Sequence, residues 1–384
     1  MNLKRLLRRL PEPPSESDFR SPVHDERVAA RIGLWLGVAF GLCFATGLLS
    51  HGIQNPPGWF TWPTRPVSLY RITQGVHVVS GIASIPLLLA KLWSVYPKLF
   101  SRPAIRSLPH ALERGSILVL VAAAFFELAT GLFNVAQNYP WSFFFPTAHY
   151  AAAWIAVGAL LVHIAVKLPV IRTALRRPVR EPEEASKRTS ALSRRGFLLG
   201  TGAATGAAVL ATAGSTVPWL RDMSVLAWRS GKGPQGVPVN RTATAAGVAR
   251  VNPQWTLEVV GPRTARFTLA QLQAMPQVEA ELPIACVEGW SASAHWTGVR
   301  VADLLKAAGA EPMSTVVVES LERAGKYRSS VLPPIHAADP LTLLALRLNG
   351  EELDIDHGYP CRLIAPSRPG VLQTKWVSRL EVMP

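Results

Sequence analysis

Residues 193–220 read SRRGFLLGTGAATGAAVLATAGSTVPWL: a serine and paired arginines, then a weakly apolar run rich in Gly and Ala that passes through Ala211-Thr212-Ala213. Basic flank, short apolar run and small-residue end form the pattern of an export signal, which ordinarily opens a chain. Here nearly 200 residues precede it. What lies before it is dominated by long apolar stretches, and what lies after it by short runs broken by Gly, Pro and Asn. The chain therefore divides into a membrane half and an exported half, and this segment joins them.

Four apolar stretches precede the junction, at about residues 28–50, 67–92, 114–136 and 142–171. Each is long enough to cross ~30 Å of hydrocarbon at ~1.5 Å per residue. The 384 residues carry a formal net charge of +15. Those cations flank the spans instead of interleaving with aromatics: Lys4, Arg5, Arg8 and Arg9 before the first, Lys91, Lys98, Arg102 and Arg106 after the second, and Arg172, Arg176, Arg177, Arg180, Lys187 and Arg188 after the fourth. That is the positive-inside distribution, and it argues against nucleic acid as the partner. The other loops hold Trp59, Phe60, Trp62, Tyr139, Trp141 and Phe143, interfacial aromatics of the outer side. Both ends of the four-span unit then face the cytoplasm. Residues 193–220 must cross as a fifth span and deliver the remainder outside.

The expected divisions are a cytoplasmic tail with a short surface helix (1–27), a four-span domain (28–171), a basic cytoplasmic linker (172–195), the fifth span (196–220) and an exported domain (221–384). In the exported domain the runs Thr256–Val260, Val299–Leu305, Thr315–Glu319, Thr342–Leu348, Arg362–Ala365 and Val377–Val382 predict a mainly-β or α+β fold. The expected location is the cell membrane, multi-pass, with the C-terminal domain on the outer face.

Histidines are the informative residues within the spans, because a titratable ring in hydrocarbon needs a partner. His149 and His163 stand fourteen residues apart on the fourth span. At 100° per residue both lie on one face, roughly 21 Å apart along the axis. Two stacked haems need such a pair. His77 on the second span matches the depth of His149 and could complete an outer site, with His51 as a rival. His163 lies near the inner edge, where His24 or His110 could complete another. This layout resembles the di-haem b-type cytochrome subunits of formate dehydrogenases and nickel hydrogenases, over about residues 20–175. The resemblance implies two b haems, exchange of electrons with quinone or quinol, and an all-α four-helix transmembrane bundle.

Ser193-Arg194-Arg195-Gly196-Phe197-Leu198-Leu199 resembles the twin-arginine signal, with Leu199 where Lys is usual. A signal of that kind exports folded proteins, which gives a reason to seek a cofactor downstream. Cleavage after Ala213 and retention as a tether both remain open to an export signal; retention is expected, since a cut would part electron donor from acceptor.

Three cysteines, Cys43, Cys286 and Cys361, are too few for a disulfide framework and lack the spacing of a structural zinc site. Cys43 in a span and Cys361 in a strand read as small buried hydrophobes. Cys286 differs: it ends a short apolar strand in ELPIACVEGWSASAHWTGVRVADLLKAAGA (281–310), ahead of Glu288-Gly289-Trp290 and a helix-like VADLLKAAG. A soft thiolate suits a high-valent metal whose other sulfurs come from an organic cofactor. From this motif, residues 237–384 resemble the molybdopterin domain of the sulfite oxidase family, especially the small bacterial members that act on protein methionine sulfoxide. The resemblance implies that Cys286 ligates molybdenum. His357 and Arg362, in His357-Gly358-Tyr359-Pro360-Cys361-Arg362, would hold the pterin and its phosphate; Lys375, in Gln373-Thr374-Lys375-Trp376, would hold the phosphate; and Asn240 would make an early pterin contact.

Two functional classes follow. One is a multi-domain membrane oxidoreductase that moves electrons between quinone and a small sulfoxide- or sulfite-like substrate, or a protein sulfoxide, through b haems and the molybdenum cofactor. The other is a membrane-anchored, cofactor-free binding or sensing module with a sulfite oxidase-like fold. Arg300, Arg323 and Arg328 are the arginines expected to serve an oxyanion substrate, if one is used.

Overall fold

The computed structural model describes residues 14–103, 105–179, 193–227 and 233–383. The surface helix expected in the N-terminal tail and most of the basic linker therefore lie outside the described residues. Five helices are long and apolar enough to cross a membrane: α1 (Glu26–Gln54), α2 (Leu69–Val95, continued by a 3-10 turn to Phe100), α3 (Leu108–Val135), α4 (Phe145–Arg176) and α5 (Arg194–Ala213). α4 begins three residues later than expected because the chain is extended at Phe144 and Pro146 sits in the first turn, where its missing N–H costs nothing. α5 stops at Ala213, so the last seven residues of the expected span lie beyond the helix.

The chain forms two compact units. The first comprises residues 1–44, 79–134 and 138–209. In it the start of α5 packs through Phe197 and Leu198 against a cluster of Val28, Ile32, Ala39 and Leu87 from α1 and α2. Arg194, first of the arginine pair, donates through Nε to the Pro22 carbonyl at 3.1 Å and lies 3.1 Å from the Asp25 carboxylate. Asp25 is itself held by Arg27 at 2.8 Å.

The second unit comprises residues 45–78, 135–137 and 210–384, so the C-terminal end of α1 and the N-terminal end of α2 belong with the C-terminal sheets. One sheet has the order β2-β1-β10-β5-β6 and the other β3-β4-β7-β8, with β9 also on β7. Their strands are β1 (Thr256–Val260), β2 (Thr264–Thr268), β3 (Val278–Ala285), β4 (Ser291–Arg300), β5 (Val316–Ser320), β6 (Ser329–Leu332), β7 (Leu343–Leu348), β8 (Glu351–Glu352), β9 (Arg362–Ile364) and β10 (Val377–Val382). Neighbouring strands are antiparallel except β1 and β10.

Strand β7 shows why the fold closes around two cores. Leu344 and Leu346 enter a cluster with β1, β5, β10 and the helix α6 (Val301–Ala307), while Leu343, Ala345 and Leu348 enter a second cluster with Leu282, Ile284, Ala292, Ala294 and Trp296. Side chains alternate across a strand, so a strand buried on both faces reads as an unbroken apolar run. The expected run Val299–Leu305 is split: β4 ends at Arg300 and α6 takes over at Val301, because Val301, Leu304 and Leu305 follow the helical period. Strands β2 and β6 alternate with polar residues and carry no apolar run to mark them.

Candidate cofactor and redox site

Cys286 sits at the tip of the β3–β4 hairpin. Its backbone N–H donates to the Trp290 carbonyl at 2.9 Å and its carbonyl accepts from Gly289 at 3.0 Å, which closes a tight turn directly after the last pair, Ala285 with Ser291. Gly289 has φ +85°, and a Cβ there would approach Val78 Cγ2 to 2.9 Å, so both conformation and space demand glycine. The turn is braced on three sides. Gln74 donates to the Val287 carbonyl at 3.3 Å, the Glu288 carboxylate accepts from the Trp290 indole at 3.1 Å and closely from the Gln137 amide, and Ser291 N–H donates to the Ser215 carbonyl at 2.8 Å. The Cys286 residue is 1% exposed.

His357, Arg362 and Lys375 come together beside it. In the sequence Asp354-Ile355-Asp356-His357-Gly358, the Asp354 side chain caps a 3-10 turn by accepting from Asp356 N–H at 2.8 Å, and Gly358 ends it at φ +113°. That turn brings the His357 carbonyl to 3.3 Å from Arg362 Nη1. It also lays Gly358 against Lys375, where a Cβ would come to 3.0 Å. Lys375 Nζ donates to the carbonyls of Asp356 at 2.8 Å and Arg241 at 2.9 Å, leaving its third N–H for another acceptor. Asn240 stands next to Arg241, at the edge of this group.

The electrostatics are unusual for a protein interior. Arg362 is 3% exposed and Lys375 9%, yet their hydrogen bonds among the described residues go to backbone carbonyls, with the Arg362 guanidinium 5.5 Å from the Trp296 ring centroid. Burial pulls Arg362 down to about 10. Burial, then the neighbouring Arg362, pulls Lys375 down to about 7, while Asp356 and the Cys286 thiolate act in the opposite sense. His357 is pushed to about 4 by burial and Arg362, so its ring is neutral. Its Nε2–H donates to the Pro234 carbonyl at 2.8 Å, which leaves Nδ1 as a lone-pair acceptor. That Nδ1, Arg362 Nε and Gln373 Oε1 are buried without a hydrogen-bond partner among the described residues.

Buried polar groups are ordinarily satisfied, so a cluster of orphans marks where a ligand belongs. Two cations without a carboxylate fit a phosphate, a bidentate guanidinium above all. The orphan imidazole and amide acceptors fit the N–H groups of a heterocycle. No group of three or more His, Cys, Asp or Glu is placed to hold a metal among the described residues. A metal at Cys286 would therefore take its other ligands from a cofactor. On these grounds the residues present fit a sulfur-bearing pterin with a phosphate tail.

Three residues escaped the sequence reading. Arg368 is 4% exposed, donates to the Val331 carbonyl at 2.6 Å and the Leu372 carbonyl at 3.3 Å, and is drawn to about 9 by burial. His336, 2% exposed and held at about 4 by burial and then Arg368, has neither ring nitrogen hydrogen-bonded among the described residues. Tyr327, half-buried on an exposed loop, is raised by burial and by the Cys286 thiolate. Arg300, Arg323 and Arg328 are all exposed, so the buried arginines of this region are Arg362 and Arg368. The bridge of Ala285 with Pro369 and the bonds of Ser367 to Trp62 and Val67 draw the 366–370 loop alongside the Cys286 turn. Cys361 lies fully buried at the start of β9, its thiol raised by desolvation, as expected of an inert core residue.

The span histidines have these surroundings. In the first unit, His149 Nδ1 lies 3.0 Å from Thr130 Oγ1, whose own hydrogen is committed to the Phe126 carbonyl at 2.7 Å. Its other ring nitrogen, Nε2, lies 3.2 Å from the Glu127 carboxylate. His163 lies two turns further along α4 than Ala156, close to the Lys167–Glu113 ion pair. His24 sits among Phe19, Trp93 and Tyr96, its ring 5.2 Å from that of Tyr96, and His110 Nδ1 accepts from Arg106 N–H at 3.2 Å. In the second unit, the His77 ring lies flush against Gly47, where a Cβ would come to 2.9 Å, and His51 lies in the last turn of α1.

Comparison with known proteins agrees with this geometry. A family model described as the oxidoreductase molybdopterin binding domain matches residues 245–384. The catalytic subunit of a protein-methionine-sulfoxide reductase, MsrP of Gluconobacter oxydans, is 34% identical over 146 residues, 34% of this chain and 47% of that protein. A putative protein-methionine-sulfoxide reductase subunit of Azospira oryzae, YedZ1, is 34% identical over 116 residues, 30% of this chain and 43% of that protein. The mitochondrial sulfite oxidase of Drosophila melanogaster is 30% identical over 159 residues, 34% of this chain and 28% of that protein. The chain thus spans less than half the length of these relatives. Residues 245–384 form a molybdopterin-binding oxidoreductase domain, and the chain is similar to sulfoxide reductases and sulfite oxidases.

Proposed function

We propose that the chain is a membrane-bound molybdenum oxidoreductase that takes electrons from quinol through b haems and uses them to remove oxygen from a sulfoxide. The observation that carries the redox reading is the buried pair Arg362 and Lys375, bonded to backbone carbonyls and not ion-paired to a carboxylate among the described residues, in the electrostatic reach of Cys286. Molybdenum supplies the two-electron oxygen-atom chemistry when bound. Cys286 would hold the metal, Arg362 and Lys375 the phosphate, and His357 the pterin by accepting at Nδ1, with Asn240 at the rim. Trp296 shields the guanidinium from water and so strengthens its hold on an anion.

The haem reading rests on histidines within apolar helices. The Thr130 hydroxyl would hold the His149 ring at Nδ1, leaving Nε2 for iron once Glu127 turns away. Gly47, having no side chain, lets the His77 ring lie directly against the first helix. His163, with His24 or His110, would hold the second haem, and His51 remains the rival of His77. The substrate assignment follows the relatives named as sulfoxide reductases. Retention of α5 as a tether is supported by the folding of the chain just past it: Leu226 N–H donates to the Ala211 carbonyl at 2.8 Å and Gly214 N–H to Ser224 Oγ at 2.7 Å, which shields the Ala211–Ala213 segment.

The deciding experiment purifies the full chain and measures molybdenum, the oxidised-minus-reduced visible spectrum, and reduction of methionine sulfoxide against oxidation of sulfite. Stoichiometric molybdenum, lost activity in Cys286→Ala and b-type bands reduced by quinol are expected. No molybdenum in the wild type would end the redox reading. No b-type bands would end the haem reading alone.

A further inference from the structure

Five polar side chains from the ends of α1 and α2 and from the β5–β6 loop connect in series within the second unit. The Tyr327 hydroxyl is 3.2 Å from Gln54 Oε1; Gln54 Nε2 is 3.1 Å from the Ser50 carbonyl and 3.3 Å from Ser50 Oγ. Ser50 Oγ is 3.1 Å from the Tyr70 hydroxyl, which is 3.4 Å from Gln74 Oε1, and Gln74 Nε2 reaches the Val287 carbonyl at 3.3 Å. Tyr70 is 1% exposed and Gln74 4%, so water does not compete along this stretch.

The direction of every bond follows from two groups that only accept. The Val287 carbonyl obliges Gln74 to present its amide N–H, so Gln74 Oε1 faces Tyr70 and Tyr70 donates to it. The Ser50 carbonyl likewise turns the Gln54 N–H groups inward, so Gln54 Oε1 faces Tyr327 and the phenol must donate. Ser50 Oγ then accepts from Gln54 and donates to Tyr70. All five donors point the same way, from Tyr327 to the residue after Cys286. The far end of the chain is the Val287 carbonyl, in the turn that carries Cys286, and the Tyr327 end is near enough to Cys286 for the two to interact electrostatically. Tyr327 belongs to a loop whose other members from Arg323 to Arg328 are exposed, and its bond to Gln54 turns it inward.

We propose that Gln54, at the outer end of the first membrane helix, is a positioning residue for Tyr327: it accepts the hydroxyl's hydrogen bond, so that the phenol offers the redox site an acceptor and not a donor. Residues outside the family domain thereby set the polarity of its site. This rests on the reading of Cys286 as the redox centre.

The test uses the full-length holoprotein with Gln54→Leu, Tyr327→Phe and the double variant. kcat and KM are measured with methionine sulfoxide and a reduced quinol analogue, and amide hydrogen exchange is followed over residues 321–328. Gln54→Leu is expected to lower kcat about tenfold with KM nearly unchanged, as loss of one buried hydrogen bond allows. Tyr327→Phe should match it, the double variant should be no worse than Tyr327→Phe, and exchange in the loop should accelerate equally in all three. Multiplying losses, or unchanged kcat and loop exchange in Gln54→Leu, would overturn the proposal. Tyr327→Phe removes the same bond from the loop side, so a Gln54 variant that fails to fold does not remove the test. If the wild type reduces no sulfoxide, the functional reading falls, and the exchange measurement alone still decides whether Gln54 holds the loop.

Discussion

Arg362→Met separates the cost of a buried charge from its use. The guanidinium is held in the cofactor-free protein at a pKa near 10 instead of 12.5, chiefly by burial. At ~1.36 kcal/mol per pKa unit, keeping it charged there costs about 3 kcal/mol. Methionine of similar length removes that cost but forfeits the 3.3 Å bond to the His357 carbonyl and the packing on Trp296, together worth about 1–2 kcal/mol. The cofactor-free variant should therefore be more stable by about 1–2 kcal/mol, or roughly 2–6 °C in melting midpoint. The same protein produced with molybdopterin available should retain little cofactor, because a phosphate would meet Lys375 alone. The assays are thermal melts of cofactor-free protein and the molybdenum-to-protein ratio of holoprotein. A variant that melts lower without cofactor and still retains it would refute the reasoning on both counts.

Lys375→Met tests the second cation through pH. The folded pKa of about 7 lies below the unfolded 10.5, so between these values the unfolded chain binds more protons and cofactor-free stability should rise with pH. The variant should flatten that rise in urea midpoints taken at pH 7 and pH 9. Gly289→Ala combines a positive φ with a contact on Val78 and should destabilise the Cys286 turn by about 1–3 kcal/mol, read as loss of molybdenum with any haem bands unchanged. Membranes from intact cells should show only full-length chain on immunoblots against the C-terminus; a fragment of about residues 214–384 would refute the tether.

Apolar length and the placement of Lys and Arg made the helical half legible, because a hydrocarbon-spanning helix must be long and continuous whatever surrounds it. Cys286, His357, Arg362 and Lys375 were legible because each sits in a short motif with its own turn chemistry, such as Asp354 capping and Gly358 ending the turn that carries His357. Strands β2 and β6 were not, since a half-exposed strand carries no apolar run. Arg368 and His336 were hidden for another reason: nothing in Ser367-Arg368-Pro369 shows that long-range contacts to Ala285, Trp62, Val67 and Val331 fold the loop inward and bury the arginine. The assignment of α1 and α2 ends to the second unit was equally invisible. Gln54 and Gln74 look in sequence like ordinary helix-end amides facing water, and only the tertiary fold turns them toward Tyr327 and Val287. Sequence alone determined which residues could carry charge, thiolate and ring nitrogen, because those are properties of side chains and local turns. Tertiary structure decided which of them are stripped of water and brought together, because burial and long-range contact belong to the packed chain as a whole.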